Sequence, residues 1–194
     1  MEEKLSHKIY AEIRNGIIDG EYSARDFLSE GQIAKKYGVS KAPVKEALHI
    51  LADQGYLISY PRRGYMINTY SDEELDKIQE IRKTLEGLCV RLAITNASDE
   101  ELETLRFYRY GETRALDPRE TVNFKFHIGL ARLSGNEFLV DTLIPLVIKA
   151  SMNKIKCDPD IDNFDKIIDA MQARDEEKAL QYLDEDIRYL KRKQ

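Results

Sequence analysis

Basic side chains are concentrated in one short stretch of this sequence. Between residues 31 and 65 there are six lysines or arginines and only two acidic residues, although the whole chain has 30 basic and 35 acidic residues and a formal net charge of −5. The six basic residues are Lys35, Lys36, Lys41, Lys45, Arg62 and Arg63. A local excess of positive charge attracts phosphate groups even when the protein as a whole is acidic. The stretch therefore predicts contact with a polyanion such as nucleic acid.

The elements that would hold the lysines are two short helices joined by a glycine-containing turn. Ser29 begins a capping-box pattern, which predicts a helix start, and Gly38 is a typical helix stop. Ser40 is predicted to cap the second helix with its side chain. In a helix-turn-helix motif the N-terminal residues of the second helix enter the major groove, so Lys41 and Lys45 would face base edges and phosphates.

A basic hairpin is predicted directly after the second helix. The segment YLISYPRRGYMINTY, residues 56–70, has β-prone runs on either side of a turn that contains Pro61 and Gly64. Arg62 and Arg63 at its tip suit a wing that reaches the minor groove or the DNA backbone. Exposed lysines usually form only a solvated face. Charge alone therefore leaves open whether these basic residues contact DNA or only water. The order of helix, turn, helix and basic hairpin favours DNA binding.

Helical signals fill the rest of the chain. A first helix is predicted from about Lys4 to Asp19, and six more helices are predicted beyond Tyr70. Their start and stop signals are the capping boxes Ser71–Glu74 and Ser98–Glu101, the pairs Asp117–Pro118 and Gly135–Asn136, and the aspartates Asp162 and Asp175. We therefore predict a mainly α fold in two domains, a winged helix-turn-helix domain over residues 1–70 and an all-α helical bundle over residues 71–194.

Nothing in the sequence suggests a membrane segment or secretion. No apolar run approaches the length of about 18 residues that a membrane helix requires. The first residues, MEEKLSHKIY, are charged at once and lack the apolar core of a signal peptide. Cys89 and Cys157 lie far apart and are interpreted as reduced thiols, neither a disulfide framework nor a zinc site. We expect a cytoplasmic protein with no membrane partner.

Residues 5–67 resemble the winged-helix domain of GntR-type bacterial transcription regulators. The matching stretches are IRNGIIDGEY, SEGQIAKKYGVSKAPVKEALHILADQGYLI and RRGYMI. The resemblance implies that the GVSKAPVKEAL stretch contains the recognition helix and that the basic wing contacts DNA. The predicted DNA-binding residues are Lys35, Ser40, Lys41, Ala42, Lys45, Arg62, Arg63 and Gly64. Lys41 and Lys45 stand where such regulators usually have arginines, and Gly31 stands where a basic residue is frequent, so bidentate reading of guanine is lost at the two lysines.

Residues 71–190 resemble the all-helical effector-binding and dimerisation domain of the FadR branch of these regulators. The matching pieces are IRKTLEGLCVRLA, NFKFHIGLARLSGNEFL and EKALQYLDEDI. Many such domains hold a divalent metal through one Asp and three His, with a carboxylate metabolite completing the coordination. By position these ligands are Asn123, His127, Phe164 and Asp186 here, so a site with three histidines cannot form.

The resemblance still implies an effector pocket, with Arg82, Asn123, His127 and Asp186 as candidate ligand-binding residues. His127, Asn123 and Asp186 are also candidate ligands for a divalent metal such as Zn, Ni or Mn, although no cofactor is certain. Asp186 lies on the apolar stripe of the last predicted helix and should point inward. In the structural alternative, Arg82 pairs with a buried carboxylate and His127 is a core histidine with satisfied hydrogen bonds.

Taken together, the residues and the resemblance predict a transcriptional regulator, with repression the expected mode, that binds double-stranded DNA and a small carboxylate-containing effector and is not an enzyme. We expect a homodimer on a palindromic operator, because one short recognition helix reads only a few base pairs. Two alternatives remain open: a winged-helix adaptor that binds protein, and a helical-bundle metallohydrolase built on Asn123, His127 and Asp186.

Overall fold

The computed structural model describes residues 4–22, 27–108, 122–152 and 161–189. The chain divides into two compact units, and the division falls between Ser71 and Asp72. Both units are dominated by helices, and the first adds a small two-stranded sheet. The predicted mainly α fold with an N-terminal winged helix-turn-helix is confirmed.

Three helices form the core of the N-terminal unit. They are α1 (Leu5–Ile18), α2 (Glu30–Tyr37) and α3 (Lys41–Asp53). The apolar positions of α1 recur at helical spacing, and α1 packs against α3. The buried residues of this contact are Ile9, Ile13, Ile17, Val44, Ala47, Leu48 and Leu51.

The ends of α2 are set by local sequence, as predicted. The Ser29 side chain accepts a hydrogen bond from the Gln32 backbone and the Gln32 side chain accepts one from the Ser29 backbone, which completes the capping box. Gly38 ends the helix in the left-handed conformation with φ 66°.

The wing is an antiparallel hairpin of β1 (Leu57–Tyr60) and β2 (Gly64–Ile67). Its register pairs Leu57 with Ile67 and Tyr60 with Gly64. Leu28 lies beside β2 and exchanges two backbone hydrogen bonds with Tyr65, at 2.7 and 2.9 Å. This bridge attaches the hairpin to the chain that leads into α2.

Six α-helices and one 3₁₀ helix form the second unit within the described residues. They are α4 (Asp72–Asn96), α5 (Asp99–Glu103), a 3₁₀ helix (Thr104–Tyr108), α6 (Val122–Leu133), α7 (Glu137–Ser151), α8 (Ile161–Gln172) and α9 (Glu176–Tyr189). The α4 helix packs against α6 and α9, and α8 packs against α9. Apolar side chains of these helices form one buried core that includes Val90, Phe126, Leu130, Leu143 and Ile168.

The helix signals of this unit are confirmed where they can be compared. The Ser98–Glu101 capping box forms in full, and the break between α6 and α7 falls at Gly135 and Asn136. The predicted helix start at Asp117–Pro118 and the cysteine Cys157 lie outside the described residues. Within the part of the chain that is described, no helix combines the length and the apolar character needed to cross a bilayer.

Candidate DNA interface and effector site

The leading end of α3 presents small and basic side chains to solvent. Ser40, Lys41, Ala42 and Lys45 are all exposed, while Val44 on the opposite face is fully buried. Ser40 occupies the N-cap position, but its side chain makes no capping hydrogen bond, so that prediction is wrong. The reason is local: the third residue of the helix is a proline, and it lacks the N–H that an N-cap hydroxyl often bonds.

The two lysines near the end of α2 differ in their surroundings. Lys35 is exposed and makes no hydrogen bond or ion pair with the other described residues. The Lys36 amine lies 2.6 Å from the Glu21 carboxylate and 2.7 Å from the Tyr22 hydroxyl. Desolvation lowers the pKa of Lys36, but the bonds to Glu21 and Tyr22 outweigh it and raise the pKa above its ordinary value. Lys36 therefore fastens the segment after α1 to α2, which leaves Lys35 as the lysine of α2 available to a partner.

The wing holds its two arginines differently. Arg62 lies in the turn with φ 67°, a left-handed conformation that is uncommon for a residue with a side chain. The guanidinium carbon of Arg63 lies 4.3 Å from the centre of the Phe27 ring, and Phe27 meets Tyr60 edge to face at 5.5 Å. Phe27 was missed by the sequence reasoning, because the contact joins residues that are far apart in the chain.

Gly64 makes the closest backbone approach in the wing. Its φ is +106°, and a Cβ placed there would lie 2.6 Å from the backbone oxygen of Leu28. Only glycine accommodates both the positive φ and the close approach. Between α3 and the strands lies an open groove of about 550 Å³, lined by Ala42, Lys45, Glu46, His49, Ser59 and Tyr65. The exposed face of α3 and the wing thus form one concave surface.

In the second unit, three helices bring charged side chains together in the core. We define this buried cluster as Gln79, Arg82 and Glu86 of α4, Asn123 and His127 of α6, and Asp186 of α9. All six residues are buried, and Arg82, Glu86 and His127 have no measurable exposure. The inward orientation predicted for Asp186 is confirmed.

Glu86 is the centre of the buried cluster. Its Oε1 accepts a hydrogen bond from Arg82 Nε at 2.8 Å, and its Oε2 lies 2.6 Å from His127 Nδ1. Arg82 also donates from Nη1 to the Gln79 side-chain oxygen at 3.1 Å. Glu86 is thus the buried carboxylate that the structural alternative assigned to Arg82 without naming it. The i, i+4 spacing of Arg82 and Glu86 on one helix was the available signal.

The charges of the buried cluster stabilise each other. Burial alone would raise the pKa of Glu86, but the Arg82 guanidinium and His127 outweigh this and lower it to about 2. Burial lowers the pKa of His127, yet Glu86 first and then the nearby Asp186 carboxylate raise it above its ordinary value, against an opposing effect of Arg82. Glu86 is therefore ionised at neutral pH and the protonated form of His127 is favoured.

Among the described residues, two polar atoms of the buried cluster, Arg82 Nη2 and Asn123 Oδ1, have neither a hydrogen-bond nor an ion-pair partner. His127 Nε2 and Asp186 Oδ2 lie 3.2 Å apart, which is an ion-pair distance, but they are not aligned as a hydrogen bond. Each nitrogen of the His127 ring therefore faces a carboxylate, Glu86 on one side and Asp186 on the other.

The residues present do not fit a divalent metal. Phe164, at the position of one family ligand, stacks on Phe126 with ring centres 3.9 Å apart and meets His127 edge-on at 5.9 Å. One nitrogen of His127 is bonded to Glu86, and an amide oxygen such as that of Asn123 is a weaker ligand than a carboxylate. Within residues 4–22, 27–108, 122–152 and 161–189, no group of three or more His, Cys, Asp or Glu side chains is arranged to hold a metal ion. The described residues therefore do not form the predicted metal site at Asn123, His127 and Asp186.

Two family models match the chain. Residues 5–67 match "Bacterial regulatory proteins, gntR family", and residues 77–189 match "FCD domain". Together they define the class, a winged-helix domain of a bacterial regulator followed by an all-helical FCD domain. The chain belongs to the GntR family of bacterial regulatory proteins and has an FCD domain.

Individual proteins agree with this family. The chain is 32% identical over 142 residues to the uncharacterised HTH-type transcriptional regulator YdhC of Bacillus subtilis, covering 70% of this chain and 63% of that protein. It is 31% identical over 120 residues to the Nta operon transcriptional regulator of Aminobacter aminovorans, covering 60% of this chain and 57% of that protein. The chain thus spans about three fifths of the length of these two relatives.

Solved structures agree in fold. The Escherichia coli protein McbR/YncC matches with a TM-score of 0.70 at 21% identity, covering 96% of this chain and 95% of the other. A GntR regulator from Rhodococcus sp. RHA1 matches with a TM-score of 0.60 at 20% identity, covering 97% and 95%. At these identities the likeness establishes the fold and leaves the ligands to be argued from this chain's own residues.

Proposed function

We propose that this protein is a sequence-specific transcriptional regulator whose binding to a DNA operator is modulated by a small carboxylate-containing metabolite in its helical unit. The observation that carries the DNA part is the pair Lys41 and Lys45, exposed one turn apart at the leading end of α3. Lysine at a helix N-terminus opposes the helix dipole, and an approaching phosphate reverses that cost. The placement therefore favours a partner that is a polyanion.

Each exposed residue of this surface has a role in the proposal. Lys41 and Lys45 contact phosphates and guanine edges as point charges, and Ser40 and Ala42 lie against base edges. Lys35 contacts the backbone, and the wing residues Arg62, Arg63 and Gly64 reach the minor groove or the phosphates beside it. Because lysine lacks the bidentate fork of arginine, we expect reading of the site to be less strict than in relatives with arginines here.

We infer that the regulator acts as a homodimer on a palindromic operator in the cytoplasm, because two copies of one short recognition helix double the number of base pairs read. Repression is the proposed mode. Two relatives are named as repressors, RspR of Escherichia coli strain K12 and the gluconate operon repressor of Bacillus licheniformis, at 24% and 32% identity.

The proposed effector binds at the buried cluster. Arg82 offers an unpartnered guanidinium nitrogen to a carboxylate, and Asn123, His127 and Asp186 supply the neighbouring polar atoms. A hydrolase built on Asn123, His127 and Asp186 would require a metal that these residues do not fit, so the proposal contains no catalytic step.

The test of DNA binding starts from duplexes selected on the purified protein from a random library. We expect enrichment of a palindromic sequence and a ratio of two chains to one duplex. Lys45→Ala should weaken binding, and the slope of log affinity against log salt should fall by about 0.9, the value for one phosphate contact. Lys77→Ala, which removes an exposed lysine of α4, is the matched control and should leave the slope unchanged.

Two outcomes would contradict the proposal. If Lys45→Ala leaves the affinity and its salt dependence unchanged, Lys45 is not part of the interface. If no sequence is enriched, with or without small carboxylates present, the adaptor alternative replaces DNA binding.

A further inference from the structure

An acidic side chain lies in the middle of the exposed face of α3. An α-helix turns by about 100° per residue, so Ala42, Glu46 and His49 fall on one face of this helix. All three are exposed and line the open groove between α3 and the wing. The opposite face carries the buried apolar residues Val44, Ala47, Leu48 and Leu51. Glu46 therefore belongs to the face that meets DNA in the proposed complex.

Among the described residues, no side chain bonds to the Glu46 carboxylate. The residues one turn away on α3 are Ala42 and Ile50, which carry no charge. His49, three residues further along the helix, lies 3.6 Å from the Asp53 carboxylate instead. An unpaired carboxylate on a surface that meets phosphates weakens binding to DNA of every sequence, unless it accepts a hydrogen bond from the DNA itself. The position of Glu46 therefore calls for a donor on a base.

Few groups of the major groove can donate a hydrogen bond to a carboxylate. Only the N4 amino group of cytosine and the N6 amino group of adenine donate there. The adenine amino group stands beside the N7 acceptor, whose lone pair repels a carboxylate, whereas cytosine presents its N4 donor without an acceptor of its own. The paired guanine presents the acceptors O6 and N7, which suit the amine of Lys45, the residue before Glu46 in the same groove. Lys45 and Glu46 together therefore fit a C·G base pair.

We propose that Glu46 is a specificity-determining residue that reads one cytosine in each operator half-site by accepting a hydrogen bond from its N4 amino group. The inference rests on the proposed operator binding and deepens it by assigning one base pair of the site. Because the carboxylate repels DNA that offers it no donor, it weakens binding to the wrong sequences more than to the right one. Glu46 thus restores part of the discrimination that is lost where Lys41 and Lys45 stand in place of arginines.

The test measures the affinity of the wild type, Glu46→Gln and Glu46→Ala for duplexes that differ from the selected operator at single base pairs. In the wild type, one position of each half-site should prefer cytosine over the other bases by about fivefold or more. In Glu46→Gln the preference at that position should move to adenine, because a glutamine side chain bonds both N6 and N7 of adenine. In Glu46→Ala the four bases at that position should bind within about twofold of one another, while the preferences at other positions remain.

Glu12→Gln is the matched control for the loss of one negative charge. Glu12 is an exposed glutamate of α1 and does not line the groove between α3 and the wing. Its replacement should leave the ranking of the four bases unchanged at every position of the operator. Thermal unfolding of all three variants should match that of the wild type, because both glutamates are exposed.

Two results would overturn the inference. If both Glu46 variants bind every duplex more tightly but keep the wild-type ranking of the bases, Glu46 is only a solvated carboxylate that repels DNA. If the position that responds to the variants prefers a base other than cytosine in the wild type, the hydrogen bond to N4 is excluded. Failure of the proposed function is separable, because the wild type would then enrich no sequence at all, whereas failure of this inference leaves an enriched operator whose cytosine preference does not depend on Glu46.

Discussion

Replacing Glu86 with glutamine should produce the largest stability loss of any single charge change in the described part of the helical unit. Glu86 is fully buried and is bonded to both Arg82 and His127. Glutamine preserves its shape but removes its charge, and it leaves two buried cations without their shared counter-ion. Breaking a buried ion pair by removing one partner costs about 3–5 kcal/mol in other proteins.

The pKa of Glu86 gives an independent magnitude. Lowering it from 4.5 to about 2 corresponds to roughly 3 kcal/mol of stability at neutral pH. Because the folded-state pKa lies below the unfolded one, this stability is present above pH 4.5 and is lost as the pH falls toward 2. We therefore expect the wild type to exceed Glu86→Gln by roughly 3 kcal/mol at pH 7 and by about 2 kcal/mol near pH 3.5.

Urea unfolding followed by circular dichroism at the two pH values measures these differences. Glu80→Gln, an exposed glutamate of the same helix, is the control and should change the free energy of unfolding by less than about 0.5 kcal/mol. In Glu86→Gln the His127 ring should also lose its proton at a lower pH than in the wild type, because its main stabilising charge is gone. An NMR titration of the ring measures this difference. A loss below about 1 kcal/mol at pH 7, or a difference that grows in acid, would refute the reasoning.

Three further predictions concern the N-terminal unit. Gly64→Ala should lower the melting temperature and weaken binding to selected duplexes, because a Cβ there meets the Leu28 backbone at 2.6 Å with φ at +106°. An unchanged melting temperature and affinity would show that the hairpin can shift freely. Gly31→Arg should tighten binding and steepen the salt slope by about 0.9, since a Cβ at Gly31 makes only an ordinary 3.8 Å contact; a flat slope would place α2 away from DNA. Phe27→Leu should weaken binding about two- to fivefold by freeing Arg63, whereas Phe27→Tyr keeps the ring and should bind like the wild type. An equal loss of affinity in both variants would exclude the cation–π contact as the cause.

Features set by residues close in the chain are those that the sequence predicts well. The capping boxes at Ser29 and Ser98 and the left-handed stop at Gly38 depend on neighbours within three or four positions, and all three are confirmed. The side-chain cap at Ser40 failed for an equally local reason, the proline at the third position of α3. A capping serine therefore indicates a side-chain cap only when the third residue of its helix has an N–H to donate.

Contacts between distant residues are the features that the sequence did not predict. Glu86 and His127 are 41 positions apart, and their bond depends on how α4 and α6 pack. The residue types at Arg82 and His127 indicated a polar site in the core, but not that one glutamate joins them. Whether His127 bonds a carboxylate or a metal is decided by that packing, so the sequence could indicate the burial of Asp186 but not the partner of His127.

In the proposed function, the buried cluster is also the place where the effector would alter operator binding. A ligand changes operator affinity only if it binds two conformations of the protein differently, and coupling energies in regulators are typically about 1–3 kcal/mol. Arg82, His127 and Asp186 belong to three different helices, α4, α6 and α9; Arg82 Nη2 has no partner among the described residues, and His127 and Asp186 face each other at 3.2 Å. Each buried polar atom that gains a hydrogen-bond partner stabilises the bound conformation by about 1–3 kcal/mol, which is similar to these coupling energies. Under this proposal, a ligand that bonds Arg82 and Asp186 together would favour one arrangement of α4 and α9 by enough to account for regulation. A ligand that bonds only one helix would gain little from that arrangement and should bind without effect.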